Sequence, residues 1–294
     1  MKRALVKRCL AFLFAATLLV CACACSRVQT PQADKTLNLS GMELVFEETF
    51  DGPLDATRWR TTRGEGARRG GYWDPAQCFT QDGNLIIRTE YKEDGPKGPG
   101  WYTGTCTTDG LQEFTYGYFE ARCKAPAAGG LWSAFWLQSE TMGDETEGGK
   151  NGAEIDVMES PYYNDPKKDT ETYRNTTMHT IHIDGYGDKH QSKGSGEFRV
   201  DRDMYNEFNT YGVLWTPDEY VFYINGQETW RTDFGVSQSP EFLLLTVEIA
   251  GKDGSADPDN QNNRYSWSGD IRDNPEGTFP VDFVVDYVRV YQFA

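Results

Sequence analysis

The chain is a long series of short apolar or alternating segments separated by turn residues. The segments cover residues 42–46, 84–91, 101–107, 116–123, 132–138, 154–159, 177–183, 209–214, 219–224, 242–249 and 281–291. Between two of them, Asn225-Gly226 is a strong signal for a two-residue hairpin turn. No long stretch has helical periodicity. The pattern therefore predicts an all-β domain in which two antiparallel sheets pack face to face.

The first 25 residues have a different character. Four basic residues come before an apolar run from Leu10 to Val20; they are Lys2, Arg3, Lys7 and Arg8. A basic start followed by a short apolar run is typical of a secretory signal peptide, and this run is too short to span a membrane comfortably. We expect an exported protein.

The end of this segment is rich in cysteine and resembles a bacterial lipobox. Cys23 is the expected lipidation site, with Cys21, Cys25 and cleavage without a lipid as alternatives. We expect a flexible tether over residues 26–40 and one folded domain over residues 41–294. The protein would then be a lipoprotein of the cell surface or of the periplasmic side, or otherwise secreted.

Net charge limits the partners that are expected. The formal charge is −16, and loss of the four basic residues of the leader would move it to about −20. Such a chain should avoid nucleic acid and should touch the membrane only through its N-terminal lipid. A monomer is the default expectation. One candidate basic patch, formed by Arg63, Arg68 and Arg69, runs against the overall charge.

Three cysteines lie in the predicted domain, namely Cys78, Cys106 and Cys123. An odd number in an exported protein leaves at least one free thiol. A bridge between Cys78 and Cys106 is one possibility, but the sequence does not show whether they are close. The spacing of the cysteines does not suggest a structural zinc site.

The segment with the clearest chemical content is Ala153-Glu-Ile-Asp-Val-Met-Glu-Ser160. In a regular strand, Glu154 and Asp156 would share one face, whereas Glu159 would have the wrong parity. A β-bulge at Val157-Met158 would return Glu159 to the acidic face. We therefore predict a bulged strand with three carboxyl groups on one side.

Three neighbouring carboxyl groups push each other's proton affinities apart, so one can stay protonated while another is ionised. Retaining glycoside hydrolysis needs this combination, with the two carboxyl groups about 5–5.5 Å apart. The alternative is an ordinary half-solvated strand with acidic residues on its outer face.

The acidic segment occurs together with three other motifs. They are Gly129-Gly-Leu-Trp-Ser-Ala-Phe-Trp-Leu137, Tyr116-Gly-Tyr-Phe-Glu-Ala-Arg122 and Val285-Asp-Tyr-Val-Arg-Val-Tyr291. In combination they resemble glycoside hydrolase family 16, the laminarinase, lichenase and agarase group. The resemblance covers roughly residues 41–294. It implies a concanavalin-like β-jelly roll with the cleft across its concave sheet.

The resemblance also implies roles for the acidic residues. Glu154 matches the nucleophile and Glu159 the acid/base, while Asp156 would orient Glu154 and tune its titration. His182 resembles the cleft histidine of the family. His179, three positions earlier on the same strand, should face the opposite side.

Aromatic side chains are the candidate sugar platforms, because sugars stack their C–H faces on flat rings. Trp132 aligns with the cleft tryptophan of the family, and Trp136 would share its strand face or belong to the core. Trp73, Trp101 and Tyr186 lie beside Gly-rich loops and are candidate rim platforms, with ordinary packing as the alternative.

No cofactor is expected to be required. The resemblance leaves room for a structural calcium near Asp286, although the early strand reads Glu47-Glu48-Thr49-Phe50 where the family more usually has Asp-Glu-Phe.

Departures from the family pattern affect the choice of substrate. The region Gly70–Gln77 lacks the Asn-Glu-x-Gln-x-Tyr run of laminarinase-like members, and Ser133 replaces the usual proline. A retaining endo-β-glycanase acting on β-1,3- or β-1,3-1,4-glucan is the first expectation. An endo-β-1,4-galactosidase acting on galactan or host glycans is the second. A non-catalytic glycan-binding surface protein is the alternative from another class.

Overall fold

Strands make up about half of the part of the chain that the computed structural model describes, which is residues 28–63, 67–143, 148–163, 170–251 and 268–294. In chain order they are β1 (Gln32–Thr36), β2 (Met42–Glu48), β3 (Ala67–Arg68), β4 (Gly71–Trp73), β5 (Cys78–Gln81), β6 (Asn84–Lys92), β7 (Gly100–Thr103), β8 (Thr105–Thr107), β9 (Gly117–Lys124), β10 (Leu131–Gln138), β11 (Ala153–Ser160), β12 (Thr176–Ile183), β13 (Gln191–Arg199), β14 (Asn209–Trp215), β15 (Tyr220–Ile224), β16 (Gln227–Thr232), β17 (Phe242–Ile249) and β18 (Val281–Phe293). The described helical turns are Pro75–Gln77, α1 (Thr170–Tyr173) and Ile271–Asp273. The predicted all-β class is confirmed.

Two sheets contain these strands. The smaller sheet has the order β13-β12-β11-β10-β17-β8 and is antiparallel throughout. The larger sheet has the order β1-β16-β15-β14-β9-β18-β6-β7-β4-β3, with β2 also paired to β18 and β5 to β6. At its far end β4 and β7 run parallel. The acidic strand β11 therefore lies inside the smaller sheet, where neighbours on both sides fix its position.

The core fills the space between the sheets. Phe135 and Ile155 of the smaller sheet and Phe119, Val213 and Trp215 of the larger sheet belong to one cluster of fully buried side chains. Alternation along each strand sends every second residue into this layer. On β11 the inward position of Ile155 leaves Glu154 and Asp156 on the outer face.

The Asn225-Gly226 hairpin between β15 and β16 is confirmed. Both residues have positive φ, 50° and 74°, as a type I′ turn requires. The three body cysteines are buried free thiols in this structure, without a bridge between Cys78 and Cys106.

The expected tether over residues 26–40 is wrong for the part of it that is described. Strand β1 pairs with β16 at the edge of the larger sheet, and Leu37 and Leu39 pack against buried side chains of that sheet. Strand β1 can be polar because backbone hydrogen bonds to an open sheet edge hold it in position. The predicted leader and Cys23 lie outside the described residues. None of the helices that the structure describes is long and apolar enough to cross a membrane.

We expect Trp215→Ala to destabilise the fold by about 3–5 kcal/mol, because it empties a large volume in the core. Trp215 is fully buried, and its indole Nε1 donates to the carbonyl oxygen of Ser237 at 3.0 Å. Urea unfolding of both proteins measures the difference. The matched control, Phe293→Ala, removes an aromatic ring that is 56% exposed and should cost less than about 0.5 kcal/mol. Equal losses in the two variants would contradict the assignment of Trp215 to the core.

Candidate active site

The predicted bulge is present in strand β11. On one side Phe135 faces Met158 and Trp136 faces Asp156, so Val157 is the extra residue. On the other side the register with β12 also shifts between Asp156 and Glu159. Val157 and Met158 are both fully buried. The inserted residue returns Glu159 to the face that carries Glu154 and Asp156, which confirms the prediction.

The three carboxyl groups line one cavity on the outer face of the smaller sheet. Its volume of about 380 Å³ lies in the usual range for a ligand site, roughly 300–1,000 Å³. The outward side chains of β10 and β17 form its floor, and loop residues form its rim. We call this cavity the cleft. Backbone parity on three adjacent strands therefore brings the acids, aromatic rings and polar side chains together.

The titration of the acids follows from their burial. Burial, and then the neighbouring charges of Asp156 and Glu154, raise the pKa of Glu159 well above its ordinary value. The pKa of Asp156 is also raised well above its ordinary value, by burial and by the charge of Glu154. Burial raises the pKa of Glu154 as well, but a hydrogen bond from Tyr186 and the nearby His182 oppose the rise. Glu154 is therefore the acid best placed to be ionised while Glu159 keeps its proton.

Two side chains hold the carboxylate of Glu154. Gln138 Nε2 donates to Glu154 Oε2 at 3.1 Å, and the hydroxyl of Tyr186 donates to the same oxygen. Gln138 in turn contacts Tyr186, and Arg63 donates to its amide oxygen. These contacts fix the direction of the carboxylate. Tyr186 thus lies in the cleft as predicted, but it bonds the acid in addition to forming part of the rim.

His182 lies beside the acids, as the resemblance implies, and His179 points the opposite way into the core, as strand parity predicts. His182 Nε2 is 3.4 Å from Asp156 Oδ2 and 3.9 Å from Glu154 Oε1. Its other ring nitrogen is 2.8 Å from His190 Nε2, and the two rings stack. His190 is thus a neighbour of the site that sequence reasoning did not identify.

Among the described residues, one group places three potential metal-ligating atoms within 4.8 Å of one another, namely Glu154, Asp156 and His182. The Asp286 carboxylate lies elsewhere and pairs with Arg122 at 2.5 Å. It belongs to no such group within the described ranges. A structural calcium near Asp286 stays a prediction.

The predicted aromatic platforms divide into two groups. Trp132 and Trp136 line the cleft, although Trp136 is only 5% exposed and donates to Thr246 Oγ1 at 3.0 Å. Trp73 lies next to the cleft and donates to the carbonyl oxygen of Val247. Trp101 does not line it, because its ring packs on Phe279 with centroids 4.6 Å apart. For Trp101 the alternative of ordinary packing is the observed one.

Arginines cover these rings. The guanidinium of Arg69 is 4.4 Å from the Trp132 ring centroid, and that of Arg68 is 4.8 Å from the Trp73 ring centroid. Both arginines pair with Glu248, which is 5% exposed on β17. Sequence reasoning listed the arginines only as a charge patch and missed Glu248 and Gln138. Strand parity on β17 and β10 was the signal that could have found these two acceptors.

A family model described as "Beta-porphyranase A-D, GH16 domain" matches residues 46–293. The chain belongs to glycoside hydrolase family 16. It is therefore a glycoside hydrolase, and the predicted family is confirmed.

Individual relatives agree with this assignment. A beta-glucanase from Rhodothermus marinus is 24% identical over 288 residues, covering 92% of this chain and 91% of the relative. A keratan-sulfate endo-1,4-beta-galactosidase from Sphingobacterium multivorum is 27% identical over 271 residues, covering 87% of this chain and 57% of the relative. The structure of an endo-beta-1,3-glucanase from Pyrococcus furiosus has a TM-score of 0.66 at 24% identity, covering 88% of this chain and 98% of that one. This likeness confirms the predicted jelly-roll fold.

We expect Tyr186→Phe to move the acid limb of the pH profile of kcat/KM to higher pH. The tyrosine hydroxyl stabilises the ionised form of Glu154 and lowers its pKa, so its loss raises the pH needed to ionise the acid. Initial rates between pH 4 and 8 measure the limb. Tyr91→Phe, at an exposed tyrosine, is the control and should leave it in place. An unmoved limb in Tyr186→Phe would contradict the contact.

Proposed function

We propose that the chain is a retaining endo-β-glycanase that uses Glu154 as nucleophile and Glu159 as acid/base. The observation that carries the proposal is the bulge at Val157, which brings both glutamates into one cleft with different proton affinities. The roles follow from titration: the group that ionises more readily attacks, and the group that keeps its proton donates it.

The reaction has two displacements. First, the Glu154 carboxylate bonds to the anomeric carbon while Glu159 gives its proton to the glycosidic oxygen, and the C–O bond to the leaving sugar breaks. The product is a glycosyl ester on Glu154. Glu159, now ionised, then takes a proton from a water whose oxygen attacks the anomeric carbon, and Glu154 leaves as a carboxylate. Both displacements invert the carbon, so the overall result is retention.

Asp156 and His182 act on the pair of glutamates. Asp156 is buried between them along β11; its charge raises the pKa of Glu159, and the charge of Glu154 raises the pKa of Asp156 itself. His182 Nε2 lies within 4 Å of Asp156 and Glu154 and favours their ionised forms when it is protonated. Gln138 and Tyr186 direct the Glu154 oxygen at the sugar. Trp132 supplies a ring at the floor of the cleft.

A β-1,3- or β-1,3-1,4-glucan is the proposed substrate, supported by the glucanases among the relatives. The second candidate is an endo-β-1,4-galactosidase activity on galactan or host glycans. The relative that carries that activity in its name supports it. Affinity for a glycan without turnover would favour the non-catalytic alternative.

We also propose export of the protein and lipidation at Cys23, supported by the basic and apolar residues that come before it. A monomer and, near Asp286, a structural calcium remain part of the proposal. Metabolic labelling with a fatty-acid analogue, compared between wild type and Cys23→Ala, tests the lipid.

A polysaccharide panel separates the activities. The mature protein is incubated with laminarin, lichenan, agarose, carrageenan and mucin-type glycans, and new reducing ends are measured. Release of oligosaccharides from laminarin or lichenan supports the glucanase, and release only from galactose-containing glycans supports the alternative. NMR of the first product should show the β-anomer, because the mechanism is retaining. Absence of turnover on every member would overturn the enzyme assignment.

We expect Glu154→Gln and Glu159→Gln each to lower kcat on the best substrate by about 10²–10⁴-fold or more. The amide can neither attack the anomeric carbon nor give up a proton at the required step. Glu43→Gln, at an exposed glutamate of β2, is the matched control and should keep its activity. Circular dichroism checks the fold of all three variants. Full activity of folded Glu154→Gln would contradict the proposed roles.

A further inference from the structure

We propose that Thr177 and His179 of strand β12 are positioning residues for Glu159, because their side chains bond backbone groups at the bulge. The inference rests on the proposed function of Glu159 as acid/base. It concerns two buried side chains that do not line the cleft.

The bulge disturbs the hydrogen bonding around Val157. In the described strand β11, Val157 is the residue without a Cα partner on either β10 or β12. It is fully buried, so its backbone polar groups need partners inside the protein. Nδ1 of His179 lies 2.7 Å from the Val157 carbonyl oxygen. A side chain therefore bonds the bulged residue where the regular ladder is interrupted.

Thr177 makes the corresponding contacts to Glu159. The Thr177 hydroxyl donates to the Glu159 carbonyl oxygen at 2.9 Å. The backbone N–H of Glu159 in turn donates to Thr177 Oγ1, with 3.2 Å between the nitrogen and the oxygen. Thr177 is fully buried. A single hydroxyl thus fixes both backbone polar groups of the proposed acid/base. Farther out, Thr180 Oγ1 donates to the Glu159 carboxylate at 3.1 Å, so the same strand also contacts the end of the side chain.

His179 connects the bulge to the other sheet. Its Nε2 lies 2.8 Å from the hydroxyl of Thr229 on β16, and its ring stacks on Phe222 with centroids 4.7 Å apart. Burial lowers the pKa of His179 to about 4, so the ring is neutral at ordinary pH. A carbonyl can only accept a hydrogen bond, so Nδ1 carries the proton and Nε2 accepts from Thr229. The larger sheet therefore supports the bulge through one histidine.

The irregularity continues into the next strand. The register of β12 with β13 shifts between Met178 and Thr180, on either side of His179. The backbone N–H of His179 donates to Ser195 Oγ at 3.0 Å. Side chains thus bond backbone groups on both β11 and β12: His179 bonds the Val157 carbonyl oxygen of β11, and Ser195 of β13 accepts from the backbone N–H of His179. Glu154 lies before the bulge in regular register with His182. Loss of the β12 contacts should therefore displace Glu159 far more than Glu154.

This difference sets the kinetic signature. A sugar leaving group of high pKa needs the proton of Glu159, whereas 2,4-dinitrophenolate leaves without protonation. The probes are laminarin and 2,4-dinitrophenyl β-laminaribioside, or the galactosyl equivalents if the panel favours galactan. The parameter is kcat/KM, which reports the step that forms the glycosyl ester. A displaced Glu159 should slow the first probe and spare the second.

We expect Thr177→Val to lower kcat/KM for the polysaccharide by about 10–100-fold, because displacement by about 1 Å can cost 10²-fold. The rate for the dinitrophenyl glycoside should change by less than about threefold. Thr177→Ser keeps the hydroxyl and should restore the polysaccharide rate. Equal losses on both probes would mean a merely structural role and would overturn the proposal, as would an unchanged Thr177→Val.

The histidine is tested without a substitution that risks the fold. In wild-type protein labelled with ¹⁵N-histidine, the His179 ring should show the neutral tautomer with the proton on Nδ1 and should not titrate between pH 5 and 8. Titration in that range, or a proton on Nε2, would overturn its part of the proposal. A wild type that cleaves neither probe would instead overturn the proposed function. An active wild type whose Thr177→Val variant is unchanged would overturn the positioning role alone.

Discussion

One inserted residue, Val157, is the constraint on which the site depends. A regular strand would alternate Glu159 into the core, where an acid without a partner is costly. The bulge reverses that parity after Asp156 and brings the glutamate back to the cleft. Because β11 lies between β10 and β12, the distortion must be accommodated on both sides. The contacts of Thr177 and His179 show how the sequence of β12 matches the irregularity.

Burial of charge gives the cleft its chemistry and also limits its stability. Glu159 and Asp156 are each about 5% exposed or less, so both favour the protonated form. Keeping a carboxylate ionised in such a place requires donors, and Glu154 receives them from Gln138 and Tyr186. In the same low-dielectric surroundings, the pKa values of the two glutamates thus differ because the two side chains receive different numbers of hydrogen-bond donors. A site built in this way gives up some stability for function.

The arginines alter what the aromatic floor can bind. Guanidinium groups are planar and stack on rings as a sugar face does. With Arg69 over Trp132 and Glu248 holding the arginine in place, a sugar that uses this ring must displace or rearrange an ion pair. Part of its binding free energy is then used for that rearrangement. Binding of a sugar at this ring is therefore coupled to the ion pair between Arg69 and Glu248.

The alternation of side chains along a strand explains how much of the site could be predicted from the sequence alone. The faces of Glu154, Asp156, His179 and His182 follow from positions within one strand, and the bulge followed because only an extra residue could return Glu159 to the acidic side. Contacts between residues far apart in the sequence could not be predicted in this way. Tyr186 bonds Glu154 from a loop 32 residues later, and His179 meets Thr229 after 50 residues and across the core. Strand β1 was not predicted for a related reason, since its polar residues are held by backbone pairing with the edge strand β16. Periodicity shows which way a side chain points, whereas the identity of its partner depends on the order of strands in the sheet.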